Sequence, residues 1–231
     1  MSVRAARKQR VNKVTVKSQV LDAELVEMRR EQIVAAAVEL FSRNGYFKTT
    51  ILEIAQKAKI SVGLIYHYAR TKEDVLFLTL MSVLESYKRE IPAVDPHDMP
   101  LESLWKALNA YARVIDRRRA AAVLAYRSTK SLPTAQRRTI MQLEIETNDL
   151  LAQRVQACVA AKLFRQDVNV DLAVYQLIMH AHTWALKHWH LKEIVTLDEY
   201  IAAGFESSVR ASATPAGLTA YAKINRSPTK R

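Results

Sequence analysis

Glycine is scarce in this chain. Four glycines (Gly45, Gly63, Gly204, Gly217) serve 231 residues, and no two stand close enough for G-x-G-x-x-G or a P-loop. Most nucleotide-binding enzymes are thereby excluded. The single cysteine, Cys158, rules out a disulfide framework and any cysteine-based zinc or iron–sulfur centre. No apolar run approaches the ~18 residues of a membrane span. Arg4, Arg7, Lys8 and Arg10 open the chain with no apolar segment behind them, which is not the pattern of a secretory signal. A soluble, cytoplasmic protein without membrane contact is expected. An apolar fraction of 49% is enough to build a core.

Acidic residues are missing from both ends. Residues 1–20 carry Arg4, Arg7, Lys8, Arg10, Lys13 and Lys17 with no acid; residues 211–231 carry Lys223, Arg226, Lys230 and Arg231, again with none. The two ends supply +10 of the net +12. Such arms suit a polyanion, because each phosphate neutralised releases a counterion; they also suit a solvated, disordered tail. The expected division is a basic disordered arm over 1–24, a tail of the same kind over 211–231, and folded structure between.

That structure reads as helix throughout. Ile33, Ala36, Ala37, Leu40 and Phe41 make one stripe of a helix over about 25–43, which Asn44-Gly45 ends. Thr50 and Glu53 have capping-box spacing for a short helix from Ile51 to about Ala58. After Lys59-Ile60-Ser61, Ser61 can cap a second from Val62 to about Tyr68. Thr71 with Asp74 opens a long helix to about residue 91. Three prolines over 92–100 mark a boundary. Further helices follow over about 101–115, 117–130, 133–164 and 171–192, with Thr196 and Glu199 capping a last one to about Arg210. The fold class is all-α: an N-terminal three-helix unit, a connecting helix and a larger helical body.

Two short helices joined by a three-residue turn have the proportions of a helix-turn-helix, whose second helix enters the major groove. Here Ser61, Val62, Gly63, Tyr66 and His67 would be exposed on that helix, small or polar enough for close approach to DNA. The same stripes would also serve any three-helix bundle. The residues settle more. The stretch from Ala35 to Leu76 resembles the DNA-binding region of the TetR family of bacterial transcriptional regulators. The resemblance lies in Ala36-Ala37, Leu40-Phe41, Gly45, Thr49-Thr50, Ile54-Ala55, Ala58, Ser61, Gly63, Tyr66-His67-Tyr68 and Lys72. It covers about the first third of the chain. Lys59 departs from the family's usual glycine, so the turn is made without one and gains a cation.

The resemblance implies a homodimer binding a palindromic DNA operator, with recognition helices roughly 34 Å apart. It assigns phosphate contacts to Thr50, Tyr66, His67 and Lys72, allows Lys59 to add one, assigns base contacts to Ser61, Val62, Gly63 and Leu64, and places Thr49 in the same DNA-binding set. Thr50 is equally a cap, Leu64 equally core, and Tyr66 equally packing; Lys72 has the least evident structural use. The helix-turn-helix domain would span 25–71. A domain over 72–210 would bind a small-molecule effector and dimerise through the helices at about 171–192 and 197–209.

Candidate effector contacts are Trp105, Tyr111, Tyr126, Met141, Glu144, Asn148, His180 and Trp184, expected to face inward although each reads more readily as plain core, together with Arg127. Arg117-Arg118-Arg119 with Arg127 and Lys130 could be a solvated face or could grip the phosphates of an acyl-CoA thioester. His180, His182, His188 and His190 offer no i, i+3 or i, i+4 pair, so neither a metal site nor any other cofactor is expected. Leu177, Ala181, Trp184 and Leu191 form one apolar face of that segment, and Tyr175, Met179, Leu186 and Trp189 the other. Enzymatic activity is not expected, since no nucleophile elbow or H-E-x-x-H occurs. The alternatives to a ligand-responsive repressor are a helical enzyme and a sequence-indifferent DNA-binding protein.

Overall fold

The computed structural model describes residues 14–20 and 22–226. Among them the chain forms eleven α-helices: α1 (Ala23–Asn44), α2 (Ile51–Ala58), α3 (Val62–Tyr68), α4 (Lys72–Glu90), α5 (Pro100–Arg117), α6 (Arg119–Ser128), α7 (Thr134–Ala160), α8 (Val170–Leu186), α9 (His188–Leu191), α10 (Leu197–Ser212) and α11 (Pro215–Arg226). The all-α expectation holds. The bases Arg4, Arg7, Lys8, Arg10, Lys13, Lys230 and Arg231 lie outside the described residues.

The chain divides into two compact units. The first comprises the described residues up to Leu84 together with Val123–Ile145; the second comprises Glu85–Ala122 and the residues from Glu146 onward. The first therefore holds more than three helices, since it also takes most of α4 and parts of α6 and α7.

In the first unit the α1 stripe is buried as its spacing requires: Ile33, Ala36, Ala37, Leu40 and Phe41 face Ile54, Ala55 and Ala58 of α2 and Ile65 and Tyr68 of α3. The alanines let α2 approach closely. Gly45 (φ 86) turns the chain out of α1 in a backbone region that other residues adopt at a cost. Gln136 on α7 donates to Asp74 on α4 at 2.6 Å. Residues 14–20 do not form a disordered arm. Val16 is buried, the Val14 amide donates to Thr139 Oγ1, and Arg30 donates to the Val16 carbonyl. The strap is held by main-chain bonds, which side-chain periodicity does not reveal.

In the second unit α5, α8 and α10 pack together around Leu104, Leu108, Val114, Leu177, Ala181, Trp184, Ile201 and Phe205. Two expectations are corrected. The helix expected over 171–192 is broken at Lys187 (φ −118, ψ 17), giving α8 and the single turn α9. The tail expected over 211–231 is helical as far as Arg226. Thr214 caps α11 by accepting from the Gly217 amide, Pro215 occupies its first turn, and Tyr221 packs on Phe205. Gly217 lies where a Cβ would collide with the Leu163 carbonyl, so it serves close packing instead of flexibility.

Candidate nucleic-acid interface

The turn between α2 and α3 is made by Lys59, whose φ of 55 places it in the left-handed region. Its amide donates back to the Ala55 and Gln56 carbonyls, ending α2 as a glycine would, while its side chain stays exposed. Gln32 on α1 donates to the Ala58 carbonyl at 2.6 Å. The last carbonyls of α2 are thus satisfied from within the unit, and the angle between the two short helices is held at both ends of the turn.

Helix α3 presents Ser61, Gly63, Tyr66 and His67 to solvent, with Val62 and Leu64 half-buried. Ser61 Oγ accepts from the Leu64 amide, which commits a lone pair and leaves the hydroxyl proton for another acceptor. Around Gly63 a Cβ would meet nothing nearer than Ser61 Oγ at 4.0 Å. The helix surface there is flat and open. Tyr66 is 44% exposed, whereas Tyr68 on the opposite face is buried.

Of the residues assigned to DNA, Thr49 and Lys72 stand differently from expectation, and Thr50 takes its alternative role as a cap. Thr49 is fully buried, and its hydroxyl bonds the Leu40 and Gly45 carbonyls; it closes the turn after α1 and cannot touch a duplex. Thr50 is exposed, but its hydroxyl donates to Glu53 and accepts from the Glu53 amide in a reciprocal capping box. The Thr50 amide and then its hydroxyl, both donating to Glu53 Oε2, hold that carboxyl below the usual carboxylate range. Lys72 has more structural use than its sequence suggested. Its ammonium lies 4.5 Å from the Tyr46 ring centroid and donates to the Phe47 carbonyl, and burial lowers its pKa. A Lys ammonium has three donors, so two remain for a phosphate. Phe47 and Lys48, beside this group, are exposed, Phe47 to 77%; sequence periodicity has no means of marking such loop residues.

The candidate effector residues are divided between the two units. Tyr126, Arg127, Met141 and Glu144 belong to the first unit and are exposed, which for Tyr126, Met141 and Glu144 is contrary to the expectation that they face inward. Crowding on that surface raises the Glu144 carboxyl by desolvation, and raises Tyr126 by desolvation and then by the Glu144 charge. The remaining five belong to the second unit, where Asn148 is half-buried. Trp105 stacks obliquely on Phe205, Tyr111 Oη lies 2.6 Å from His182 Nε2, His180 stacks on Tyr200, and Trp184 Nε1 donates to Asp116 at 2.7 Å. Arg117 and Arg119 are paired with Glu90 and Asp116, so the run of three arginines is not a free cationic face. Trp184 also borders an open surface cleft of about 370 Å³ whose other walls come from Lys192 to Leu197 and Glu199.

The histidine segment is dispersed: His180 faces Tyr200, His182 faces Tyr111, and His188 meets the Trp184 ring edge-on. Among the described residues no three His, Cys, Asp or Glu side chains stand together as metal ligands would, and no helix is long and apolar enough to cross a membrane. The apolar faces read from the sequence separate in part: Leu177, Ala181 and Trp184 are buried, Tyr175, Met179 and Trp189, with Leu172, are exposed, and Leu191 of the first face and Leu186 of the second are both half-buried.

A short exposed reading helix, braced by α1 and α2 and followed by a larger helical body, defines a helix-turn-helix DNA-binding regulator. The chain belongs to the TetR family. Residues 33–78 match the model for bacterial regulatory proteins of the tetR family, and 97–193 match the tetracyclin repressor-like C-terminal domain. It is 47% identical over 214 residues to the HTH-type transcriptional regulator HbdR of Aromatoleum sp. (strain CIB), covering 92% of this chain and 93% of that protein. It is 29% identical over 164 residues to the HTH-type transcriptional repressor KstR2 of Mycolicibacterium smegmatis, covering 70% and 79%. The fold matches a crystal structure of a tetR-family regulatory protein from Rhodococcus RHA1 with a TM-score of 0.71 at 23% identity, covering 79% of this chain and 95% of that one.

Proposed function

We propose that this protein is a ligand-responsive repressor: a homodimer that binds a palindromic operator in the cytoplasm and is released from it by a small-molecule effector. The observation that carries the reading is the open face of α3, where Ser61, Gly63, Tyr66 and His67 are exposed and nothing crowds Gly63. In this reading Ser61, Val62, Gly63 and Leu64 meet base edges, while Lys59, Tyr66, His67 and Lys72 meet phosphates. Repression is favoured by the name carried by the KstR2 relative.

The dimer forms through α8 and α10. Leu172, Tyr175 and Met179 make an exposed apolar stripe along α8, more than a solvated helix face ordinarily carries. On α10, exposed Ala203 and Ser207 are small enough for close helix approach.

The effector is an amphiphilic anion, with an acyl-CoA thioester the first to test. Its support is an exposed surface of α6, α7 and the turn Thr129–Ser131 between them, where Tyr126 and Met141 offer apolar contact and Arg127 and Lys130 offer charge. The deciding experiment selects duplexes from a randomised library with the full-length chain and then titrates the enriched duplex against random DNA at several salt concentrations. An affinity ratio of about 10³ or more supports the repressor. A steep salt slope without that ratio would return the chain to the sequence-indifferent class. Adding acyl-CoA thioesters or free acids to the bound duplex then tests release.

A further inference from the structure

Helix α3 is seven residues long and ends without a glycine; the residue that follows, Ala69, is extended at φ −149. A helix end of this kind leaves its last carbonyls without partners of its own. They are satisfied from elsewhere in the chain. The Gln19 amide donates to the His67 carbonyl at 2.9 Å, Ser18 Oγ donates to the same carbonyl at 3.1 Å, and Arg30 donates to the Tyr68 carbonyl at 3.4 Å. The strap over 14–20 is pinned beneath by buried Val16 and by the bond from Arg30 to its carbonyl. The reading helix is therefore capped by a segment 48 residues away.

The strap also grips a side chain. Gln19 Oε1 lies 2.8 Å from His67 Nδ1, and both residues are exposed. An imidazole has two nitrogens, and the bond made by one decides what the other can do. When the amide oxygen accepts from Nδ1–H, Nε2 of the neutral ring can only accept, and a phosphate offers it nothing. With the amide turned over, its NH₂ donates to Nδ1, the ring proton sits on Nε2, and Nε2–H can donate to a phosphate oxygen. An amide serves both arrangements without a change of charge.

We propose that Gln19 is a positioning residue of the DNA interface: it orients His67, and the face its amide turns to Nδ1, the oxygen in this structure, decides whether the outward nitrogen carries a proton for a phosphate, so that the strap over 14–20 is a working part of the reading head. The proposal rests on the repressor reading above.

The experiment uses the full chain and the duplex it enriches from a randomised library. Gln19→Ala should weaken binding by about ten- to a hundredfold, the range of one charge-assisted hydrogen bond, with an unchanged melting temperature because the side chain is exposed. In a His67→Ala background Gln19→Ala should cost nothing more. Equal loss in both backgrounds would show that Gln19 touches DNA directly, and no loss in wild type would show that it touches nothing; either overturns the proposal alone. Failure of the wild-type chain to enrich any duplex would overturn the repressor reading, and this one with it.

Discussion

The His180 ring occupies the space where a side chain on Gly204 would begin. The imidazole is clamped there: it stacks on Tyr200 with ring centroids 4.1 Å apart, its Nε2 lies 2.9 Å from the Tyr200 carbonyl, and the Tyr200 hydroxyl donates back to the His180 carbonyl. α8 and α10 are locked at this crossing. Gly204→Ala should force the ring out and cost about 1–3 kcal/mol, as overpacking does. Thermal unfolding of the purified protein would register this as a clear drop in midpoint; an unchanged midpoint would mean that His180 has somewhere else to go.

If the outer faces of those two helices form the dimer, a charge on the α8 stripe should undo it. Met179 is 42% exposed and lies one turn beyond Tyr175, itself 47% exposed. Met179→Glu would place two carboxylates against one another or against apolar surface across a twofold axis, at a cost of several kcal/mol. Light scattering should then find monomer where the wild type is a dimer, with secondary structure retained. A dimer surviving the substitution would move the interface off this stripe.

Much of this architecture could be read from local signals. Both capping boxes, Thr50 with Glu53 and Thr196 with Glu199, form as their spacing implies, because a cap is a bond between near neighbours in sequence. The burial of Ile33, Ala37 and Phe41 follows from period alone. What could not be read depends on distant partners. Thr49 next to Thr50 looks like a second surface hydroxyl until the α1 carbonyls it bonds are placed. The strap over 14–20 shows no periodicity because its bonds are main-chain and long-range. The end of the chain was the one readable miss: Thr214 followed by Pro215 has the form of a helix start, masked by the lack of acids and by a glycine that packing requires.

Lys59 separates stability from DNA contact. Its left-handed conformation costs an L-residue with a side chain about 1–2 kcal/mol, a cost glycine avoids. Lys59→Gly should therefore raise the unfolding free energy by about 1 kcal/mol. The same change removes one cation, so affinity for every duplex should fall and the salt slope should shrink by about one ion. Denaturant titration and salt-dependent binding on the same preparation would check both signs. A stabilised variant with an unaltered slope would remove Lys59 from the interface.

Acid should weaken the body through His182. Burial pushes this imidazole down to about 4 from an ordinary 6.5, so the unfolded chain takes up a proton over a range where the native one does not. The native state is fully favoured above the unfolded value and loses that advantage as pH falls toward 4. Each pH unit costs about 1.4 kcal/mol, so urea unfolding should show about 2 kcal/mol less stability from this group at about pH 5 than at about pH 7.5. His182→Gln, able to meet the Tyr111 hydroxyl without titrating, should flatten the profile by that amount. An equally steep profile in the variant would assign the acid sensitivity to other groups.

Gly63 offers the cleanest division between folding and reading. A Cβ there meets only Ser61 Oγ at 4.0 Å, and alanine is favoured over glycine in a helix by about 0.8–1.0 kcal/mol, so Gly63→Ala should fold at least as stably as wild type. On DNA the same methyl would occupy the closest approach of α3 to the groove. Affinity for the selected duplex should fall by about tenfold or more while binding to random DNA, set by phosphate contacts, changes little. Melting temperature and competitive binding together decide the matter. A variant both more stable and equally specific would show that Gly63 faces away from the bases, and that α3 enters the groove along another edge.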